Sequence, residues 1–202
     1  MKLYYSPGAC SLSPHVALIE AGIPFELILA STKTHKLADG TDYYSINPLG
    51  YVPLLELDDG TRLAEGAAIV QYIADLAPAA KLAPANGTME RYKLQQWLAF
   101  IGTELHKNFA PLFKPGTPEE TKTASKEQLM SRLGWVDGEL AGKQFLLGDT
   151  YTVADGYLFN VTNWAAYVKL DIAGFANIAA LRARVAAKPS VQAAMKAEGL
   201  TK

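Results

Sequence analysis

A stretch of small residues at positions 77–87 most constrains the fold, because the sequence pattern differs on its two sides. The stretch holds two prolines and a glycine among alanines, which is typical of a linker at a domain boundary. Before it, short apolar segments alternate with helical patterns, and after it every periodic segment is helical. The sequence therefore predicts two domains, at residues 1–80 and 88–202, the second of them all-α.

The first domain has the element order β-α-β followed by β-β-α. The predicted elements are strands at residues 2–5, 25–29, 53–57 and 62–64, and helices at residues 10–21 and 69–76. The dipeptide Asp59-Gly60 is a strong hairpin signal between the last two strands. We expect the first two strands to be parallel and the last two to form a hairpin. This order, with a cysteine at the first helix, is that of an α/β thioredoxin-like fold.

The composition favours a small-molecule ligand in a reducing compartment. The 19 basic residues nearly balance the 20 acidic ones and form no basic block, so the charge favours neither nucleic acid nor a membrane surface as a partner. A single cysteine excludes a disulfide framework within the chain. Since neither a run of about 18 apolar residues nor a metal-ligand spacing occurs, we expect a cytoplasmic protein without a membrane span or a metal.

Cys10 is the candidate reactive residue of the first domain. It follows a short strand and a turn and opens a helix, where free backbone N–H groups lower the pKa of a thiol. Ser13 stands where a dithiol enzyme has its second cysteine, so Cys10 is expected to pair transiently with an external thiol or to position one. The alternative is an inert, buried Cys10. On the same helix, His15 is expected on the surface.

Two further segments of this domain suit a peptide-like ligand. Val52-Pro53 opens the third strand, where the dipeptide alone favours an ordinary trans strand start, although a cis bond would offer the Val52 backbone to an extended peptide. Glu65-Gly66 begins a helix whose free N–H groups can hold a carboxylate, while the Glu65 side chain takes an ammonium. The alternative for Glu65 is simple complementation of the helix dipole.

Motifs along nearly the whole chain together resemble the glutathione transferases, and among them the bacterial beta class. The motifs are Tyr4-Tyr-Ser-Pro-Gly-Ala-Cys10-Ser-Leu-Ser-Pro-His15, Asn47-Pro-Leu-Gly-Tyr-Val-Pro53, Glu65-Gly-Ala-Ala-Ile-Val-Gln-Tyr72, Glu104-Leu-His-Lys107 and Gly148-Asp-x-x-Thr-Val-Ala-Asp155. The resemblance implies a homodimer of two-domain subunits with glutathione as co-substrate on the first domain. It also implies that the electrophile binds between that domain and the helices.

The resemblance assigns glutathione-binding roles to single residues. It places the glutathione sulfur beside Cys10, pairs the tripeptide backbone with Val52 before a cis proline, and gives the γ-glutamyl end to Glu65 and Gly66. His35 occupies the position of the usual lysine for the glycine carboxylate, which weakens that contact because a neutral imidazole has no charge to offer. Gly66 replaces a common serine, so only backbone donors remain there.

In the second domain the resemblance turns a polar helix face toward the thiol. The helix bears Thr103, Glu104, His106 and Lys107, of which Thr103, His106 and Lys107 share a polar face by their spacing of three and four. The alternative for such a face is ordinary solvated surface. Ala99 on the same helix lacks the hydrogen bond of the usual asparagine. His106 is the second catalytic candidate, expected to hydrogen-bond or deprotonate a thiol. Tyr5, Phe113 and Trp164 are expected to line the electrophile pocket. Thr152 and Asp155 are assigned to the fold, as reciprocal caps of a helix.

The function implied is a glutathione transferase that activates the glutathione thiol for attack on small hydrophobic electrophiles in detoxification. Thiol exchange or peroxidase activity through Cys10 is a secondary possibility. The alternatives are a dedicated dehalogenase or peroxidase, and a non-catalytic binding or regulatory protein on the same fold. The joint presence of Cys10, Val52, Glu65 and His106 favours an enzyme, since a mere scaffold has no physical need of all four.

Overall fold

The computed structural model describes residues 1–201, and its contacts divide the chain into two units. The first comprises Met1–Ala83 and the residues from Lys188 onward, and the second comprises Pro84–Ala187. The predicted fold class is confirmed, but the last helix was expected in the helical domain and lies in the first unit. The reason is that this helix packs against the first one. Within residues 1–201 there is no helix long and apolar enough to cross a membrane.

The first unit contains a four-stranded mixed sheet. Its strands are β1 (Lys2–Tyr5), β2 (Glu26–Leu29), β3 (Leu54–Glu56) and β4 (Arg62–Ala64), in the order β2-β1-β3-β4. As predicted, β1 and β2 are parallel and β3 and β4 form an antiparallel hairpin. Strand β1 also pairs antiparallel with β3, so that Leu3 lies opposite both Leu27 and Leu55. The sheet thereby brings the end of β1 next to the start of β3.

Three helices and a cluster of buried apolar side chains hold this sheet in place. The helices are α1 (Leu12–Glu20), α2 (Gly66–Leu76) and α8 (Pro189–Ala197), and α1 packs against both of the others. Tyr4, Tyr43, Val52 and Leu54 form a buried cluster with Ala30. Because Val52 is part of this core, its backbone is held rigidly at the point where the chain enters β3.

The second unit consists of helices. They are α3 (Met89–Phe100), α4 (Lys107–Phe113), α5 (Glu119–Glu139), α6 (Val153–Tyr167) and α7 (Ala176–Ala186). Apolar residues at helical spacing run through residues 89–113, but the helix is interrupted by a π-helical turn at Ile101–His106, in which the N–H of Lys107 donates to the carbonyl of Gly102. Such turns are rare, and they concentrate at functional sites.

The N-terminus of α6 has the predicted capping arrangement. Thr152 and Asp155 form a capping box, with one carboxylate oxygen of Asp155 accepting the Thr152 N–H at 2.8 Å. The other carboxylate oxygen accepts the N–H of Leu146 at 2.8 Å. The fully buried Asp155 therefore ties the preceding loop to the helix as well as capping it.

Candidate active site

The loop that bears Cys10 is closed by its own backbone and by Ser11. The N–H of Ala9 donates to the carbonyl of Ser6 at 3.0 Å. The hydroxyl of Ser11 accepts the Ser6 N–H and donates to the Ser6 carbonyl, each at 3.2 Å. Helix α1 begins at Leu12, two residues later than predicted, so Cys10 lies just before the helix instead of within its first turn.

The thiol of Cys10 is a hydrogen-bond donor in this structure. Its Sγ atom lies 3.1 Å from the carbonyl oxygen of Val52. Burial raises the pKa of the thiol to about 12, and this outweighs the opposing backbone N–H groups of Cys10 and Ser11, while the carboxylate of Glu65 raises the pKa further. The expectation that the helix start makes Cys10 a thiolate is therefore wrong for the protein without ligand.

The peptide bond between Val52 and Pro53 is cis. The dipeptide alone favoured a trans bond, whereas the family resemblance implied the cis bond that is observed. A Cβ atom added to Gly66 would lie 3.6 Å from the ring of Pro53, which is an ordinary van der Waals distance. The start of α2 therefore lies beside Val52 and Pro53, with room for the serine that the family commonly has there.

Glu65 begins α2 in a strained conformation. Its φ angle is +66°, a region that costs a non-glycine residue on the order of 1–3 kcal/mol and often marks a functional site. Its carbonyl accepts the N–H groups of Ala68 and Ile69, whereas its exposed carboxylate makes no capping bond. A negative carboxylate and the free N–H groups of a helix start thus lie together, which suits the two charges of an α-amino acid.

His35 is held by packing. Its ring stacks on Tyr44 at 4.6 Å between centroids, and a Cβ atom on Gly50 would lie 2.8 Å from the His35 Nδ1 atom. That Nδ1 atom is buried without a hydrogen-bond partner in the part of the chain that the structure describes. Only Nε2 therefore remains for a ligand carboxylate. His35 thus offers one donor in a fixed direction, whereas a lysine at this position would offer three donors on a flexible side chain.

In the second unit, His106 packs against aromatic rings. Its Nδ1 atom lies 2.7 Å from the hydroxyl of Tyr157, and its ring meets Trp164 edge to face at 4.7 Å. Burial lowers the pKa of His106 to about 4. The prediction that Thr103, His106 and Lys107 share one polar face is wrong for His106, because the π-helical turn breaks the 3.6-residue spacing on which it rested.

The other predicted residues of this segment have simpler surroundings. The hydroxyl of Thr103 donates to the carbonyl of Ala99 at 3.0 Å, and Glu104 accepts a hydrogen bond from the guanidinium of Arg132 at 2.8 Å. Lys107 is exposed and forms no ion pair with any residue from 1 to 201. Of these residues, Lys107 is the one whose charged group is left for a ligand.

The residues predicted to line the electrophile pocket are aromatic, and Phe113 is exposed and Tyr5 half-buried, whereas Trp164 is buried. Phe113 and Trp164 meet edge to face at 5.8 Å, and both pack against the buried Phe109. In the first unit, the ring of Tyr5 lies 6.3 Å from that of His15. Burial raises the pKa of Tyr5, helped by the carboxylate of Glu198, so its hydroxyl keeps its proton at neutral pH.

Sequence reasoning missed Glu198. Its carboxylate accepts hydrogen bonds from the Nδ1 atom of His15 and from the backbone N–H of Gly8, both at 2.9 Å. The expectation of a surface His15 is wrong, since the side chain is 2% exposed. It packs against Glu198, near the C-terminal end of the chain. No local signal could have shown this, because Glu198 lies 190 residues from Gly8.

We expect Glu198→Gln to lower the free energy of unfolding by about 2 kcal/mol, because a neutral amide replaces the charged carboxylate that accepts from both Gly8 and His15, and hydrogen bonds to a charged group are the stronger ones. Urea unfolding of the variant measures this change. The exposed Glu127→Gln is the matched control, with no expected effect. A Glu198→Gln protein as stable as the parent would show that the bonds to His15 and Gly8 add little.

Among residues 1–201, no group of three or more histidine, cysteine, aspartate or glutamate side chains is arranged to hold a metal ion.

Comparison with known proteins identifies relatives over the full chain. Family models for the N-terminal and C-terminal domains of glutathione S-transferase match residues 8–76 and 100–189. The glutathione S-transferase GstA of Escherichia coli O157:H7 is 48% identical over 99% of this chain and 100% of its own. A sphingomonad glutathione S-transferase solved with glutathione is 46% identical, with a TM-score of 0.95 and 100% of both chains covered. The beta-class enzyme of Sphingomonas chungbukensis is 47% identical, with a TM-score of 0.96 and the same coverage.

Proposed function

The chain belongs to the glutathione S-transferase family, and we propose that it activates the thiol of glutathione for attack on small hydrophobic electrophiles. The observation that carries this proposal is the convergence of three groups in the first unit. They are the Cys10 thiol, the Val52 carbonyl that accepts from it, and the open start of α2 at Glu65. The sphingomonad relative solved with glutathione supports the choice of co-substrate.

Glutathione is proposed to lie along this convergence in an extended conformation. The backbone of Val52 pairs with the peptide groups of the tripeptide, as an added strand does. The γ-glutamyl ammonium binds the Glu65 carboxylate, and its carboxylate binds the free N–H groups that begin with Gly66. The glycine carboxylate is assigned to His35 through Nε2, with Lys33 and Lys36 as neighbouring cations.

Activation of the thiol is proposed to proceed by hydrogen bonding to its thiolate. The proton of the glutathione thiol leaves to solvent, and the Cys10 S–H turns from the Val52 carbonyl, to which it donates in this structure, to donate to the thiolate. In the second unit, Thr103, Glu104, His106 and Lys107 are proposed as ligand-binding residues, with Ala99 as a neighbour that cannot donate a hydrogen bond. The glutathione sulfur then forms a bond to the electrophilic carbon, and the leaving group departs with its electron pair.

The electrophile is proposed to bind against aromatic surface. Phe113, which is 48% exposed and packs on Trp164 in the second unit, and the partly buried Tyr5 in the first unit are each proposed to offer ring surface to an electron-poor aromatic substrate. These rings carry no charge, so they select for apolar character and shape more than for a particular functional group. This is the basis for proposing a broad detoxification role.

Thiol exchange is proposed only as a slower side activity. In it, the Cys10 thiolate attacks a disulfide of glutathione, forms a mixed disulfide and releases one glutathione thiolate. The high pKa of Cys10 opposes this step in the free protein. Peroxidase activity through the same sulfur is subject to the same restriction.

Assembly and location follow the family as proposals. A homodimer is supported by exposed apolar side chains in the first unit, such as Leu49 and Tyr51, which a second copy could cover. Analytical ultracentrifugation tests this state. A cytoplasmic location is proposed from the single reduced cysteine.

The proposal is tested by calorimetric titration with glutathione and by turnover of an electron-poor chloroaromatic. Glu65→Gln is expected to raise the dissociation constant of glutathione about tenfold, because it removes the charge opposite the ammonium. The exposed Glu26→Gln is the matched control and should bind normally. Heat of binding without turnover would instead support a binding or regulatory protein, and the absence of both would reject the proposal.

A further inference from the structure

His106 has one ring nitrogen engaged and one open. Its Nδ1 atom lies 2.7 Å from the hydroxyl of Tyr157, and the two rings meet nearly edge to face, at 80°. Tyr157 lies on α6 and is 6% exposed, so its ring is held in place by packing. The Nε2 atom has no hydrogen-bond partner within residues 1–201 and is the nitrogen left for a ligand.

The direction of this hydrogen bond decides which nitrogen of His106 carries the proton. A neutral imidazole has one N–H donor and one lone-pair acceptor. A phenol hydroxyl is a strong donor and a weak acceptor, because its oxygen lone pair is delocalised into the ring, whereas the bare imidazole nitrogen is a good acceptor. Donation from Tyr157 to Nδ1 is therefore favoured, and it leaves the proton on Nε2.

We propose that Tyr157 is a positioning residue that holds His106 in the Nε2–H tautomer, so that His106 offers the sulfur of a bound thiol a hydrogen-bond donor and not a base. The proposal rests on the function proposed above and goes beyond it by separating two roles that the imidazole could take. The edge-to-face contact with Trp164 restricts rotation of the imidazole ring, so that Nε2 keeps one direction.

The state of His106 agrees with this role. Burial lowers its pKa to about 4, so the ring is neutral at physiological pH and is a poor acceptor for the proton of a thiol. A neutral ring has only one proton to donate, and its position then matters. An imidazole with the proton on Nδ1 would present a lone pair to the sulfur and repel a thiolate.

The tautomer is measured directly by ¹⁵N NMR of the protein labelled at its three histidines, with His106→Gln used to assign the His106 signals. We expect the Nε2–H tautomer of His106 between about pH 5.5 and pH 8. An Nδ1–H tautomer, or an imidazolium in this range, overturns the proposal whether or not the protein turns over a substrate.

Tyr157→Phe removes the hydroxyl and keeps the ring. We expect the ¹⁵N signals of His106 to shift toward a mixture of tautomers, and kcat for an electron-poor chloroaromatic to fall about tenfold with the KM for glutathione within about twofold. Tyr167→Phe on the same helix is the matched control, since Tyr167 is 66% exposed. Unchanged signals in Tyr157→Phe overturn the proposal.

His106→Gln and His106→Ala distinguish donation from proton removal. A glutamine amide can donate a hydrogen bond and cannot act as a base, so His106→Gln should keep several-fold more activity than His106→Ala. Equal loss in both variants contradicts donation. If the tautomer is as expected but no variant, nor the parent, turns over any chloroaromatic, the proposed transferase function fails while the tautomer assignment stands.

Discussion

Asp155→Ala is expected to lower the free energy of unfolding by about 3 kcal/mol. The substitution leaves the backbone N–H groups of Leu146 and Thr152 buried without an acceptor, which costs about 1–3 kcal/mol for each group, and it removes a helix cap. Both donors lie 2.8 Å from the carboxylate in the parent structure. Urea unfolding followed by circular dichroism measures the change.

The remaining folded Asp155→Ala protein should bind glutathione as the parent does, because Asp155 is fully buried, accepts only from Leu146 and Thr152 within residues 1–201, and is not among the proposed glutathione-binding residues. Lost affinity in a folded variant would contradict its assignment to the fold. Glu120→Ala is the matched control, since Glu120 is an exposed acid in the first turn of α5. Its expected effect is below about 0.5 kcal/mol.

The stabilising effect of Asp155 should also depend on pH. Burial raises the pKa of this carboxyl to about 6 in the folded protein, against the opposing N–H groups of Leu146 and Thr152, while its unfolded value is about 3.9. A raised pKa means that the folded state binds the proton more tightly, so this contribution is complete below about pH 4 and is lost as the pH rises through 6. The stability difference between the parent and Asp155→Ala should be about 1 kcal/mol larger at pH 5 than at pH 7.5.

Cys10 is expected to react with iodoacetamide about a hundredfold more slowly than an ordinary cysteine at pH 7.5. Its pKa of about 12 leaves very little thiolate, and the greater nucleophilicity of that thiolate offsets only part of the loss. The rate should rise about tenfold for each pH unit up to at least pH 9. Mass spectrometry gives the rate without ambiguity, because the chain has one cysteine.

The chain unfolded in urea is the internal control for this measurement, since the same Cys10 should then react at an ordinary rate. A plateau of the folded-state rate below pH 8 would mean that the helix start does produce a thiolate. Cys10→Ala should keep conjugation and lose exchange. Loss of conjugation with glutathione affinity intact would instead make Cys10 essential to the transferase reaction.

The features that residues close together in the chain determine could be predicted from the sequence. The order of strands and helices, the Asp59-Gly60 hairpin and the Thr152–Asp155 cap all follow from residues close together in the chain, and all are present. The environment of Cys10 could not be predicted in this way, because its thiol donates to a carbonyl 42 residues away and its loss of solvent depends on the folded core.

Two further misses have specific physical reasons. Helical periodicity assumes 3.6 residues per turn, so it could not anticipate that the turn before Lys107 bonds back to Gly102 and directs His106 toward Tyr157. His15 looked like a surface residue because nothing near it in the chain covers it. Its burial depends on Glu198, and no periodic pattern in the sequence identifies Glu198 as the partner of His15.

The anchoring of Gly8 by Glu198 has a consequence for the order in which a newly made chain matures. The turn that bears the Cys10 sulfur is closed by Ser6 and Ser11, yet the carboxylate that accepts the Gly8 N–H lies 190 residues later in the chain. While the polypeptide is still emerging from the ribosome, Glu198 has not been added, so the hydrogen bond from Gly8 to its carboxylate cannot form. The thiol therefore reaches its final setting only after the closing helix has been synthesised and has docked.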